Sequence, residues 1–311
     1  MEFVHKSVLF EECMQMLDVK PGGIYIDGTL GGGGHSEGIL ERSAPDGELL
    51  GIDRDAAAHK AAGERLARFG DRVTFLRGNF ADMKELVDEK YHGQIDGILL
   101  DLGVSSHQID EPTRGFSYMV DALLDMRMDT RSDFSAYTVV NTYSMSELRN
   151  IISRYGEEKW ASRIAQFIVD ARAKAPIETT GQLEDIIKAA VPAGARKGVA
   201  HPARRTFQAI RIEVNGELDA VRQGVEAAVD MLKPGGRLAV ITFHSLEDHL
   251  VKDLFRKMEN PCTCPKGSPV CVCGKKPIAK QVSRKPIVSG EAELAENPRA
   301  HSAHLRGITK L

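Results

Sequence analysis

What this chain lacks bounds it before what it contains. Nowhere among its 311 residues do about eighteen apolar residues run together, as a membrane-crossing helix requires. Residues 1–6, M-E-F-V-H-K, have no basic stretch leading into an apolar run, so no secretory signal is read there, and a cytoplasmic protein without membrane contact is expected. Cysteine is sparse: Cys13 stands alone, and Cys262, Cys264, Cys271 and Cys273 cluster near the C-terminus, unlike the framework of a disulfide-stapled secreted domain. A strong excess of either charge is missing too. With 41 Lys+Arg against 44 Asp+Glu the formal net charge is −3, so any nucleic-acid surface has to come from local patches. Internal repeats and low-complexity tracts are absent, which excludes a solenoid or a disordered linker protein.

Glycine, in contrast, is concentrated. Residues 24–27 read as a strand, Gly28, Gly31, Gly32, Gly33 and Gly34 as a loop, residues 35–42 as a helix, and residues 49–52 as a second strand ending on Asp53. Such a loop lets backbone N–H groups approach a ligand with no Cβ in the way, and four consecutive glycines have no packing return that the sequence discloses. An acid about twenty residues past the loop can accept two ribose hydroxyls, so a nucleoside-containing cofactor is expected. Two nucleotide classes are disfavoured. No frame from Gly28 to Gly38 gives G-x-G-x-x-G, because the third glycine falls on Ser36 or Glu37, and Gly34 and His35 occupy the Lys and Ser/Thr places of a P-loop. The loop suits a zwitterionic amino-acid tail, and S-adenosylmethionine fits that description.

The βα alternation continues: helix 56–69, strand 73–76, helix 83–90, and strand 95–100 running into Asp101. This predicts an α/β fold with a mostly parallel sheet. Ligands of such sheets sit beyond the carboxyl ends of the strands, so the end of the first strand, Asp53, Asn79-Phe80 and Asp101 should share one crevice. The alternation then stops. A capping box at Ser144–Glu147 precedes Leu148, Ile151, Ile152 and Tyr155 at helical spacing. Further stripes follow at Trp160, Ile164, Phe167, Ile168 and Ala171, and at Leu183, Ile186 and Ile187, which predicts a helical insertion with its own small core. The α/β pattern resumes with helix 217–232, strand 238–243 and helix 246–258. Residues 278–283 and 304–309 are expected to close the sheet as an antiparallel pair.

Between Ala193 and Arg211 the charges are Arg196, Lys197, Arg204, Arg205 and Arg211 with no acid, and His201 and Phe207 add aromatic character, as nucleic-acid surfaces do. The four clustered cysteines have the stoichiometry of a four-thiolate zinc site. C-x-C is tighter than the usual C-x₂₋₄-C, however, and they are read as reduced thiols in a surface excursion, with no metal expected in the chemistry.

Six segments together resemble one family: residues 25–36 (Y-I-D-G-T-L-G-G-G-G-H-S), 101–108 (D-L-G-V-S-S-H-Q), 114–117 (R-G-F-S), 125–129 (D-M-R-M-D), 201–215 (H-P-A-R-R-T-F-Q-A-I-R-I-E-V-N) and 244–248 (H-S-L-E-D). They resemble the RsmH (MraW) family, S-adenosylmethionine-dependent methyltransferases that modify N4 of a cytidine in 16S ribosomal RNA, and the likeness spans almost the whole chain. It implies a class I, Rossmann-like methyltransferase core in residues 1–110 and 211–311. A helical substrate-recognition insertion in residues 111–210 would interrupt that core. The implied substrate is a cytidine in the decoding, P-site region of 16S rRNA within the small ribosomal subunit.

By motif, Gly33, Gly34 and His35 would contact the cofactor from the loop, Asp53 its ribose, Phe80 its adenine, and Asp101 and Gln108 the far wall. Where many amino-methyltransferases carry Asp/Asn-Pro-Pro-aromatic, this chain has D-L-G-V. The acceptor for the amine proton is therefore Asp101 or a backbone carbonyl after it, with Ser105, Asn215 and His244 as lining candidates. Asn215 has a second reading as a cap of the helix near Glu217, and His244 as a group satisfying the end of the fifth strand. The competing functions are an amino-methyltransferase acting on DNA and an RNA-binding ribosome-assembly factor without turnover.

Overall fold

The computed structural model describes residues 7–196, 201–265, 270 and 272–311. The chain forms two compact units, Met1–Gly103 with Leu218–Leu311, and Val104–Glu217. Its elements follow the order α1 (Phe10–Leu17), β1 (Ile24–Asp27), α2 (Gly34–Arg42), β2 (Glu48–Asp53), α3 (Ala56–Leu66), β3 (Val73–Arg77), α4 (Met83–Leu86) and β4 (Ile95–Asp101). The second unit then contributes α5 (Ser106–Asp110), α6 (Ala136–Thr142), α7 (Met145–Gly156), α8 (Ala161–Arg172), α9 (Thr180–Ala190) and α10 (Arg204–Asn215). The chain ends with α11 (Glu217–Met231), β5 (Leu232–Thr242), α12 (Ser245–Glu259), β6 (Ala279–Gln281), α13 (Glu291–Glu296) and β7 (His304–Lys310).

The first unit is a seven-stranded sheet in the order β3-β2-β1-β4-β5-β7-β6. β1 to β5 are parallel, and β7 pairs antiparallel with both β5 and β6. Its central strands are apolar on both faces because helices cover both. Ile26, Leu50, Leu100 and Val240 pack on one side with Val225 and Val229 of α11 and Phe255 of α12. Their neighbours Tyr25, Leu49, Leu99 and Ala239 point the other way, as strand periodicity demands, onto Met14 and Leu17 of α1 and Ile39 and Leu40 of α2. The strand order reverses at β1, which lies between β2 and β4, and this sets the position of the crevice at the carboxyl ends of the strands.

Two helices are shorter than the periodicity suggested. The expected 56–69 helix ends at Leu66 and passes into a 3₁₀ turn in which Gly70 has φ +55°. The expected 83–90 helix stops at Leu86, because Val87 is extended and Asp88 caps a separate turn. The closing strands are antiparallel, with Ala279–Gln281 the shorter of the two.

The second unit buries Leu148, Ile151 and Ile152 of α7, Ile164 and Ile168 of α8, Leu183 and Ile187 of α9, and Phe207 and Ile210 of α10 in one core. Ser144 and Glu147 close the capping box that starts α7. Trp160 is the N-cap of α8 and stays exposed. Where boundaries at 110/111 and 210/211 were expected, the units divide at 103/104 and 217/218. α10 runs unbroken through residue 210, and Arg211 holds Glu217 by two hydrogen bonds of 2.8 Å, which keeps this segment in the helical unit. Among the described residues no helix is long and apolar enough to cross a membrane.

Candidate active site

Because β1, β2 and β4 run parallel, their terminal acids Asp27, Asp53 and Asp101 arrive at the same edge of the sheet. Hydrogen bonds from the glycine loop tie them together. Asp27, 1% exposed, accepts the Ser36 hydroxyl at 2.6 Å and the Thr29 N–H at 3.1 Å, so it holds both the start of the loop and the start of α2. The Thr29 hydroxyl in turn accepts the Asp101 N–H at 2.6 Å. Asp53 accepts the Gly31 N–H on one oxygen and the Asp55 N–H on the other, both at 2.9 Å. Each Asp53 oxygen retains a lone pair, as two ribose hydroxyls would need. Burial pushes the carboxyls of Asp27 and Asp53 up, against the hydrogen bonds that favour their ionised forms.

The glycines divide by role. Gly33 has φ +78°, and a Cβ there would meet Ala62 of α3 at 3.3 Å; a Cβ on Gly34 would lie on the Ser7 hydroxyl. The expectation that the run has no packing return is therefore corrected for these two, which let α3 and the N-terminal segment close on the loop. Gly32 differs: a Cβ there would meet nothing within 4 Å. It is the loop position whose bare backbone faces open space, where a ligand can approach.

Asp101 is the most perturbed carboxyl of the site. Among the described residues its Oδ1 is buried without a hydrogen-bond partner, while Oδ2 lies 3.7 Å from His35 Nδ1. Burial first, then the nearby charges of Asp27 and Glu247, pushes its pKa up to about 8. The side chain as a whole is 26% exposed, so the burial falls mainly on Oδ1. His35 is itself buried, stacked on Phe10 with centroids 6.1 Å apart, and its Nε2 lies 3.0 Å from the Val8 carbonyl. Nε2 therefore donates to that carbonyl, and Nδ1 is the ring atom that faces Asp101. The Cys13 thiol beneath is pushed well up by burial and by Asp101.

His244 follows β5 and is the N-cap of α12, its Nδ1 accepting the Glu247 N–H at 3.4 Å. Glu247, 1% exposed, answers by accepting the Phe243 N–H at 2.9 Å. His244 Nε2 is 3.1 Å from Glu247 Oε1 but out of hydrogen-bonding alignment. Phe80 packs against Gly224 of α11, where a Cβ would come within 2.3 Å of its ring. Asp27, Thr29 and Glu247 join the site although the sequence pattern does not single them out; all three lie in the family-like segments 25–36 and 244–248.

The remaining candidates lie in the second unit. Ser105 and Gln108 cap each other: the Gln108 side-chain Oε1 accepts the Ser105 N–H at 3.1 Å and the Ser105 hydroxyl accepts the Gln108 backbone N–H at 3.2 Å. Asn215, the last residue of α10, accepts the Met128 N–H at 2.8 Å and donates to the Met126 carbonyl at 2.8 Å and the Arg211 carbonyl at 2.9 Å. Its amide clamps the 126–128 segment. Arg204 and Arg205 are exposed on the first turn of α10, and Arg196 donates to the Val191 carbonyl at 3.0 Å. Lys197 lies outside the described residues. Phe207, expected to add an aromatic surface, is corrected to a core residue at 4% exposure. His201 stacks on Tyr118 at 4.6 Å and pairs with Glu184 at 3.0 Å, so acids from other elements moderate the basic patch.

The family model described as the MraW methylase family matches residues 2–311. The chain is 58% identical over 311 residues to the ribosomal RNA small subunit methyltransferase H of Symbiobacterium thermophilum, covering 100% of this chain and 98% of that protein. It is 56% identical over 313 residues to the protein of the same name from Acetivibrio thermocellus, covering 100% of each. Among solved structures, an rRNA methylase from Streptococcus thermophilus aligns over 99% of each chain with a TM-score of 0.43 and 12% identity.

Proposed function

Because the chain belongs to the MraW methylase family, we infer that it transfers a methyl group from S-adenosylmethionine to small-subunit ribosomal RNA, and specifically to N4 of a cytidine in the P-site region of 16S rRNA. The observation that carries the reading is Asp101: a carboxyl at the end of β4 with a buried, unpartnered oxygen among the described residues, beside a glycine loop and a second strand-end acid. An orphaned buried acceptor is costly unless a bound donor completes it.

The residues fit the cofactor. Asp53 has acceptor capacity for the ribose hydroxyls, Gly32 leaves room for backbone approach, and Asp101 offers an acceptor for a cationic or amine donor. Phe80 would flank the adenine. When bound, S-adenosylmethionine supplies an electrophilic methyl on a sulfonium. The chain's own part is placement. The N4 lone pair of cytosine is delocalised into its ring, so attack is assisted by an acceptor for an amine proton and by alignment, worth several kcal/mol as orientation secured before reaction. Asp101 is assigned as that acceptor, its backbone held by the Thr29 hydroxyl and its Oδ2 facing His35 Nδ1. Arg204, Arg205 and Arg196 are assigned to phosphate contacts.

Labelled S-adenosylmethionine offered with small-subunit RNA, duplex DNA or ribosomal proteins tests the reading. Label is expected in the RNA alone. Label in DNA would favour the DNA amino-methyltransferase. RNA binding with no transfer to any substrate would favour an assembly factor.

A further inference from the structure

The segment joining α12 to β6, residues 260–278, is closed at its base. The Ile278 N–H donates to the Met258 carbonyl at 3.0 Å, and Gln281 reaches Glu259 through its backbone N–H at 3.2 Å and its side-chain amide at 2.8 Å. None of the described residues of this segment is buried, and Val270 and Val272 are 70% and 85% exposed. The described residues of the segment form no apolar core of their own to offset the entropy of holding one shape. Something else has to hold it.

It nonetheless brings three thiols together. The Sγ atoms of Cys262, Cys264 and Cys273 all lie within 4.8 Å of one another, and those of Cys262 and Cys273 are 3.8 Å apart. Two thiolates bound at about 2.3 Å to a tetrahedral zinc stand about 3.8 Å apart, whereas the sulfurs of a disulfide stand about 2.05 Å apart. The Val272 N–H donates to Cys264 Sγ at 3.4 Å, the kind of backbone donor that stabilises a metal-bound thiolate and fixes its direction. Gly274, directly after Cys273, has φ +66°, so the chain turns sharply at that residue. The C-x-C spacing of Cys262 and Cys264, tighter than in many zinc modules, does not prevent the sulfurs from converging.

We propose that Cys262, Cys264 and Cys273 form a structural site for zinc, which staples the 260–278 segment and thereby the edge strand β6. Thiolate ligands on a tetrahedral centre select zinc over the hard divalent cations. A fourth donor completes the tetrahedron; Cys271, two residues before Cys273 in the sequence, lies outside the described residues. The site shares no residue with the strand-end crevice, so its role is structural and independent of the methyl-transfer reading. It is the alternative to the sequence-based reading of reduced thiols in a surface excursion.

The test uses the full chain purified with reductant and without chelator. Elemental analysis is expected to find about one zinc per chain. The double variant Cys262→Ser/Cys273→Ser is expected to lose it, and Cys13→Ala to keep it. Because the double variant can misfold, cobalt exchange into the unmodified chain gives a second readout: a thiolate-to-cobalt charge-transfer band with the intense visible bands of a tetrahedral site. The proposal is overturned by a metal-free chain that also refuses cobalt, by zinc retained in full by the double variant, or by a Cys262–Cys273 disulfide found in peptide mapping of the reduced preparation.

Discussion

Asp101 Oδ2 lies 3.7 Å from His35 Nδ1, and Oδ1 of the same carboxyl is buried with no hydrogen-bond partner among the described residues. One side chain thus combines a fixed neighbour with an unused acceptor, in a place where its pKa is pushed up to about 8. Stability and ligand binding are both expected to carry that signature.

The unfolded chain releases this proton near 3.8, while the folded chain keeps it to about pH 8. Between those values the folded state binds more protons, so stability conferred at low pH is lost as pH rises across the window. Asp101→Asn is expected to remove that loss. Its stability should match the parent's near pH 4 and exceed it at pH 8 by on the order of a few kcal/mol, read as a higher Tm at pH 8. Thermal melts across the range check this, and an equal or lower Tm at pH 8 would show that ionised Asp101 is already satisfied in the folded chain.

A cationic cofactor favours the ionised carboxylate. Binding of S-adenosylmethionine should therefore release a proton below pH 8, and its affinity should rise with pH and level off near 8. Calorimetry in buffers of different ionisation enthalpy measures the proton directly. In Asp101→Asn the released proton and the pH slope should both disappear, with affinity about tenfold weaker or worse, as loss of one charge-assisted hydrogen bond implies.

Neighbouring glycines should part company. Gly33→Ala puts a Cβ at positive φ and 3.3 Å from Ala62, and is expected to cost about 1–3 kcal/mol of stability. Gly32→Ala meets open space and should leave Tm nearly unchanged while weakening cofactor binding. Denaturant melts and calorimetry on both variants check the contrast; equal effects on stability would contradict it.

Asn215→Ala removes a clamp from the 126–128 segment. The expected cost is about 1–3 kcal/mol in stability, since the backbone groups of Met126 and Met128 lose their partner. A variant with unchanged stability and a large fall in kcat would instead place Asn215 at the reacting atoms.

The exposed pair Arg204 and Arg205 should act through phosphates. Their double substitution by Ala is expected to weaken RNA binding and to lower the salt slope by about one unit per lost contact. Methyl transfer at saturating RNA should persist. Filter binding across a salt series checks the slope.

Two of the three strand-end acids, Asp53 and Asp101, were legible because each terminates an apolar run. The glycine loop was legible as a loop, but its internal division was not: Ala62 and Ser7, which require Gly33 and Gly34, come from elements distant in sequence. Burial of Phe207 was hidden because one aromatic among arginines reads alike on either face of a helix until its neighbours are known. Asn215 and the Ser105–Gln108 cap show the same limit, since a polar side chain near a helix end reads equally as a cap, a clamp or a reactive group. Asp27 was overlooked because its partners, Thr29 and Ser36, emerge only once the loop folds back on it.

The most direct measurement is transfer of labelled methyl from S-adenosylmethionine to small ribosomal subunits from cells lacking this gene, followed by nucleoside analysis of the RNA. The account predicts one site carrying label as N4-methylcytidine, with transfer lost in Asp101→Ala while RNA binding is retained. Label recovered in any other nucleoside, or no transfer to subunits or their naked RNA while the cofactor binds, would contradict it.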